Sequence, residues 1–152
     1  MLLDVLMPWV TWLGSGLITI SLSGLIFFIS HSRYLKETAK LSLIANVGGG
    51  LVTWILKFIV NRPRPPVSEI GFLDIFEGPS FPSGHATFVF ATAIVFGWRY
   101  PRLRIPLLVL ALVVAYSRIY LGEHFPLDVF AGAVIGSVAA AAALRQSQTD
   151  GG

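Results

Sequence analysis

Apolar residues run through this chain in blocks too long for the strands or amphipathic helices of a water-soluble domain. A helix crosses the hydrocarbon core of a bilayer in about 20 predominantly apolar residues. Runs near that length lie at roughly 9–30, 41–60, 83–99, 104–121 and 126–144. They predict an all-α, polytopic transmembrane bundle of about five spans. The third and fifth runs are short or weakly hydrophobic, and "VIGSVAAAAAL" in the fifth reads as a packing surface for another helix. Gly132 and Gly136 form a small-xxx-small pair, and Gly48, Gly49 and Gly50 offer a second place for close backbone approach. Polar segments separate the runs, the longest being the connection over 61–82, in which "FLDIF" predicts a short interfacial helix.

Composition agrees with the pattern. Hydrophobic residues make up 55% of the chain and charged residues only 12%, against about 25% charged in a soluble domain; mean hydropathy is +0.75. The length of 152 residues suits one domain, 1–152, and "RQSQTDGG" over 145–152 predicts a disordered tail. No basic residue precedes the first run and Asp4 is acidic, so this run reads as a retained span and not a cleaved signal. Zero cysteines exclude disulfides, thiolate metal sites and a cysteine nucleophile.

Charge placement gives a sidedness. Arg33, Lys36 and Lys40, then Arg99, Arg102 and Arg104, then Arg145 all fall on one face of a five-span bundle. The excess of positive charge predicts that this face is cytoplasmic and that the N-terminus lies outside. His31, on the same face, has no partner in sequence and reads as solvated. Lys57, Arg62, Arg64 and Arg118 fall on the opposite face, with Glu69, Asp74, Glu77, Glu123 and Asp128. Ionisable groups converging at a membrane boundary against the usual bias point to function.

Three segments carry that convergence. In "KFIVNRPRPP" Lys57 and Arg64 are seven apart, two turns if the helix persists, so both can face one point. A lone lysine there would read as snorkelling to the boundary. In "FPSGHATF" Pro82 and Gly84 suit a helix start whose N–H groups bind anions, with the Ser83 hydroxyl and the His85 imidazole in the same turn. In "SRIYLGEHFPLD" Arg118 offers a forked cation for phosphate oxygens. Asp128, four residues after His124, can hold one ring nitrogen and leave the other free as nucleophile or base. Taken singly, these features are also ordinary turn chemistry or a structural His–Asp tie. Together they describe a phosphate site with a nucleophile and a separate proton donor, and the crowd of cations argues against an adjacent metal cluster.

The three blocks resemble the type 2 phosphatidic acid phosphatase superfamily, whose pattern is K-x6-R-P, P-S-G-H and S-R-x5-H-x3-D. Every fixed letter is present, in order and at the family spacing, over residues 57–128. The resemblance implies a membrane lipid phosphatase that works without metal or other cofactor. His124 would attack phosphorus to form a phosphohistidine, Asp128 would orient it, and His85 would protonate the leaving oxygen and then activate water. Lys57, Arg64, Arg118, Ser83 and Gly84 would hold the phosphoryl oxygens, with Arg62 a possible headgroup contact. Membrane members commonly have six spans, so a five-span chain looks like the family core without its first helix.

These readings lead to an enzyme in a prokaryotic cell membrane, with its site on the extracytoplasmic face and the 61–82 connection expected to cover it or guide a lipid headgroup rather than act as a passive tether. Its partners would be the bilayer and a lipid phosphate: a polyprenyl pyrophosphate, phosphatidylglycerophosphate, phosphatidic acid or the phosphate of lipid A. No nucleic acid partner is expected, and the letters do not specify an oligomeric state. Rival readings are phosphotransfer to a lipid or sugar hydroxyl, a vanadate-dependent haloperoxidase, which membrane spans disfavour, and a silent lipid-binding membrane protein.

Overall fold

The computed structural model describes residues 2–66 and 78–149, and every long element among them is a helix. In chain order these are α1 (Leu2–Trp12), α2 (Gly16–Ile29), α3 (Arg33–Val60), α4 (Gly84–Arg99), α5 (Arg104–Tyr120) and α6 (Pro126–Thr149); a single 3-10 turn over Pro101–Leu103 joins α4 to α5. The helix starts follow local chemistry. Ser15, Ser32 and Ser83 stand at N-caps, where their hydroxyls accept from Ile18, Leu35 and Ala86 N–H groups that lack intrahelical partners. Pro126 opens α6, where its missing N–H costs nothing.

Central to the bundle is α4, which packs against α3, α5 and α6. It is 16 residues long, about 24 Å at 1.5 Å per residue, and was the shortest of the expected spans. Its neighbours shield it from lipid, so it can be short and rich in Ala, Thr and Gly. The outward faces of the others are apolar: Leu17, Phe28, Ile59 and Ile105 are each more than 70% exposed. A soluble protein does not present such continuous apolar surface to water. Among the described residues, three helical segments are long and apolar enough to cross a membrane, namely α3, Pro101–Tyr120 and α6, with α1 and α2 together a fourth.

That fourth path departs from the expected straight span over 9–30. The helix starts earlier, at Leu2, and breaks between Trp12 and Gly16 with a 52° bend. The break follows from packing: a Cβ on Gly14 would stand 2.4 Å from the Val114 side chain of α5, so the chain presses against its neighbour here. Ser15 then caps a new helix. At the other terminus α6 continues to Thr149, so 145–149 is helical where a disordered tail was expected; Arg145, Gln146 and Gln148 are adequate helix formers beyond the apolar stretch. The "FLDIF" segment, with Glu69, Asp74 and Glu77, lies outside the described residues.

The small-residue reading of α6 is correct. A Cβ on Gly132 would lie 2.3 Å from the Ser83 carbonyl oxygen, and one on Gly136 would lie 2.2 Å from that of Thr87. In α3 the reading needs correcting: Gly49 and Gly50 meet Thr87 and Phe88 side chains closely, but Gly48 faces open space. Polar side chains add interhelical bonds. Ser23 and Ser42 hydroxyls are 3.0 Å apart, Asn46 Nδ2 donates to Thr92 Oγ1 at 2.9 Å, and Thr53 and Thr87 hydroxyls meet at 2.9 Å. In lipid, where helices gain little from hydrophobic contact with each other, such bonds and close packing hold a bundle together.

Two glycine substitutions separate packing from helix propensity. Gly132→Ala should lower thermal stability in detergent, since overpacking against backbone costs about 1–3 kcal/mol. Gly48→Ala should leave it unchanged or raise it slightly, by up to about 1 kcal/mol from helix propensity alone. Equal melting temperatures for the two variants would contradict the assigned α4–α6 contact.

Candidate active site

The end of α3 decides where the first cations go. Asn61 adopts a left-handed conformation (φ 43°, ψ 44°) and closes the helix, and Pro63, Pro65 and Pro66 keep it closed. Arg64 is therefore not two helical turns above Lys57 as the spacing suggested. The convergence survives by another route, because residues 78–80 return to the same place. Lys57 Nζ donates to the Pro79 carbonyl, and Arg64 Nε donates to the Gly78 carbonyl at 3.0 Å. Backbone bonds pin this return: Ser80 N–H to the Arg62 carbonyl at 2.8 Å, and Ser80 Oγ to the Pro63 carbonyl at 3.1 Å.

The end of α5 supplies the next group. Gly122 has φ 69°, and the turn it permits folds residues 121–125 back over the last helical turn. The N–H groups of both Glu123 and His124 donate to the Arg118 carbonyl, at 3.1 and 3.2 Å. Arg118 is 1% exposed and Glu123 2%. Glu123 Oε2 accepts from Arg64 Nη1 and stands 3.9 Å from Arg118 Nη2. The other end of the Arg118 fork donates to Thr11 Oγ1 of α1 at 2.9 Å. Tyr120 OH donates to Asp4 Oδ1 at 2.5 Å, so α1 is fixed to the last turn of α5 twice.

The starts of α4 and α6 carry the remaining groups and are joined directly, Ser83 N–H donating to the Asp128 carbonyl at 2.9 Å. Ser83 is fully buried, Gly84 is the first residue of α4, and His85 follows at 9% exposure beside the α1–α2 break. His124 precedes α6 and Asp128 lies in its first turn, as Pro126 predicted. Their separation, His124 Nδ1 to Asp128 Oδ2, is 3.8 Å, an ion-pair distance longer than a hydrogen bond. Asp128 Oδ2 accepts the Phe125 N–H at 2.9 Å, and Oδ1 takes Arg62 Nη1 at 2.8 Å. Arg62 also lies over the Phe125 ring, 4.0 Å from its centroid.

Among the described residues, Lys57, Arg62, Arg64, Ser83, Gly84, His85, Arg118, His124 and Asp128 thus all lie at the end of the bundle where α3 and α5 finish and α4 and α6 begin. Direct contacts join Arg64 to Arg118 through Glu123, and Arg62 to His124 through Asp128. Sequence reasoning placed Glu123 on this face without giving it a partner or a role, and missed Thr11. Glu123 left a trace, since buried arginines require a counter-charge and an acidic residue stands beside His124. Thr11 left none, being 107 positions from the residue it holds. Arg62 was read as a headgroup contact; its observed partners are a carboxylate and a ring within the site. His31 is exposed at the other end, as expected.

That other end is basic. Arg99 stacks on Tyr34, 4.1 Å from the ring centroid, and its carbonyl accepts Tyr34 OH at 2.6 Å, tying the start of α3 to the end of α4. The distribution is that of a membrane protein with two chemically different faces.

Known proteins share both sequence and fold with this chain. An Escherichia coli protein provisionally named as an undecaprenyl-diphosphatase, YbjG, is 40% identical over 90 residues, covering 57% of this chain and 46% of the relative. The crystal structure of Aquifex aeolicus LpxE superposes with a TM-score of 0.78 at 33% identity, over 95% of this chain and 86% of that one. A transmembrane PAP2-type phosphatidylglycerolphosphate phosphatase from Bacillus subtilis gives a TM-score of 0.78 at 25% identity, over 97% and 77%. The chain spans less than half the length of the first curated relatives it matches, 40 to 49%. Its apolar helices and its likeness to transmembrane phosphatases make it an integral membrane protein. With the PAP2 superfamily model matching residues 39–151 and the fold shared along nearly the whole chain, the protein belongs to the PAP2 superfamily.

Proposed function

We propose that this protein hydrolyses a lipid phosphate monoester or pyrophosphate at one membrane face through a phosphohistidine. The observation that carries the proposal is the gathering of Arg64, Arg118 and the His124–Asp128 pair at the N-terminal ends of α4 and α6. Anions are stabilised at helix N-termini, and guanidinium forks match phosphate oxygens.

The chemistry follows from which atoms are engaged. Asp128 faces Nδ1 of His124, which leaves Nε2 to attack phosphorus. A P–N bond forms as the P–O bond to the lipid breaks, and His85 gives its proton to the departing oxygen. His85 then takes a proton from water, whose oxygen displaces His124 and yields inorganic phosphate. Lys57, Arg64, Arg118, the Ser83 hydroxyl and the Gly84 N–H hold the equatorial oxygens while charge redistributes over them. The positive groups come from the chain itself, so the step requires no metal.

The lipid tails would stay in the bilayer while the headgroup reaches the bundle end; polyprenyl pyrophosphates and phosphatidylglycerophosphate are two lipids of that kind. The seven cations Arg33, Lys36, Lys40, Arg99, Arg102, Arg104 and Arg145 at the far end favour a cytoplasmic placement there and an extracytoplasmic site.

A phosphate-release panel over those lipids, with phosphatidic acid and lipid A phosphate added, tests the reading in detergent. His124→Ala should lower release by at least about 10³-fold while the protein stays folded, the scale expected for losing a nucleophile; unchanged release removes the mechanism. EDTA should leave turnover intact and vanadate should inhibit it. Loss with EDTA that Mg²⁺ restores would contradict the metal-free assignment. An added alcohol that collects the phosphoryl group would show transfer in place of hydrolysis.

A further inference from the structure

Glu123 falls on an unassigned letter of S-R-x5-H-x3-D, yet one of its oxygens contacts both arginines assigned to the phosphate. We propose that Glu123 is a resident anion of the phosphate cradle, a positioning residue that holds Arg64 and Arg118 ready and competes with phosphate for them. The inference rests on these arginines forming the phosphate site.

Three observations support it. Glu123 is as buried as the arginine beneath it, at 2% exposure, so it is not a solvated rim carboxylate. Its position is set by backbone, because its N–H donates to the Arg118 carbonyl in the turn that also carries His124. Each arginine has a second anchor that does not involve Glu123: the Gly78 carbonyl for Arg64 and Thr11 for Arg118. The guanidinium groups therefore keep a hold on the protein when the carboxylate is displaced.

The electrostatic consequence concerns release more than capture. Lys57, Arg64 and Arg118 against one carboxylate leave a formal charge of plus two, which matches a phosphoryl dianion. The product, inorganic phosphate, carries the same charge as the reacting group. A cradle of three uncompensated cations would retain it. A carboxylate that returns to the arginines as phosphate leaves gives them a partner in the empty site, so product departure does not strand buried charge.

The test is inorganic phosphate binding to the full-length protein in detergent, by calorimetry and by phosphate-dependent thermal stabilisation, for wild type and Glu123→Gln. The amide keeps size and shape but not charge. Glu123→Gln should bind phosphate and vanadate at least about tenfold more tightly, the scale of one removed like charge at close range. It should also melt lower without phosphate and regain stability with it. On a lipid phosphate its KM and its kcat should both fall as product inhibition strengthens. Glu123→Asp, which keeps the charge but withdraws it by one methylene, should shift phosphate affinity in the same direction by less, and serves if the amide fails to fold. Phosphate affinity that is unchanged or weaker in the folded variant overturns the proposal, because a purely structural carboxylate would misplace the arginines when removed. A wild-type protein that binds phosphate but releases none from any lipid would overturn the phosphatase reading alone.

Discussion

A guanidinium as deeply buried as that of Arg118 has to be paired, and that requirement organises this end of the molecule. Removing one partner of a buried ion pair costs about 3–5 kcal/mol, because the survivor is left in a medium that cannot solvate it. The pairing here is not local. Arg118 of α5 reaches Glu123 in the following turn and Thr11 near the other end of the chain, and Glu123 reaches Arg64 after α3. Satisfying one buried charge thus fixes α1, α5 and the exit of α3 to one another. The site and the fold of this end are the same set of contacts.

A second constraint sets the level at which those contacts meet. With Gly132 and Gly136 against the Ser83 and Thr87 carbonyls, α4 and α6 approach until their backbones nearly touch. Ser83 N–H then bonds the Asp128 carbonyl. Two helices that start side by side present two positive dipole ends at one depth. A larger residue at either glycine would push α4 outward, carrying Ser83, Gly84 and His85 away from His124. The small residues that looked like generic bundle packing therefore govern how near the start of α4 lies to the start of α6.

How much of this was readable in the letters depends on what each position answers to. Lys57, Arg64, Ser83, His85, Arg118, His124 and Asp128 are held at fixed spacings, and their clustering at one bundle end could be predicted without knowing the path between them. The path was partly wrong. Arg64 arrives through a left-handed Asn61 and a proline-stiffened exit, and no helical periodicity extends that far. The break at Gly14 was hidden because its cause, Val114, is a hundred residues away and an apolar run reads the same straight or bent. Glu123 was placed on the right face but given no role, because the letters show neither its burial nor which cations it meets. Thr11 shows the limit, since a single hydroxyl in an apolar helix has many equivalent uses and only the fold selects one.

Arg62 shows how the site spends a residue that the chemistry does not name. Asp128 has two oxygens, and each is occupied by something other than the histidine: Arg62 on Oδ1, the Phe125 N–H on Oδ2. Phe125 in turn lies under the Arg62 guanidinium. A carboxylate held at both oxygens is the fixed half of the pair. Hydrogen bonds of catalytic pairs often lengthen without substrate and tighten with it. The 3.8 Å gap at Nδ1 is within the range of such an apo pair. The first arginine of "RPRP", Arg62, then has a physical reason: it anchors the carboxylate of that pair, while Arg64 turns to Glu123.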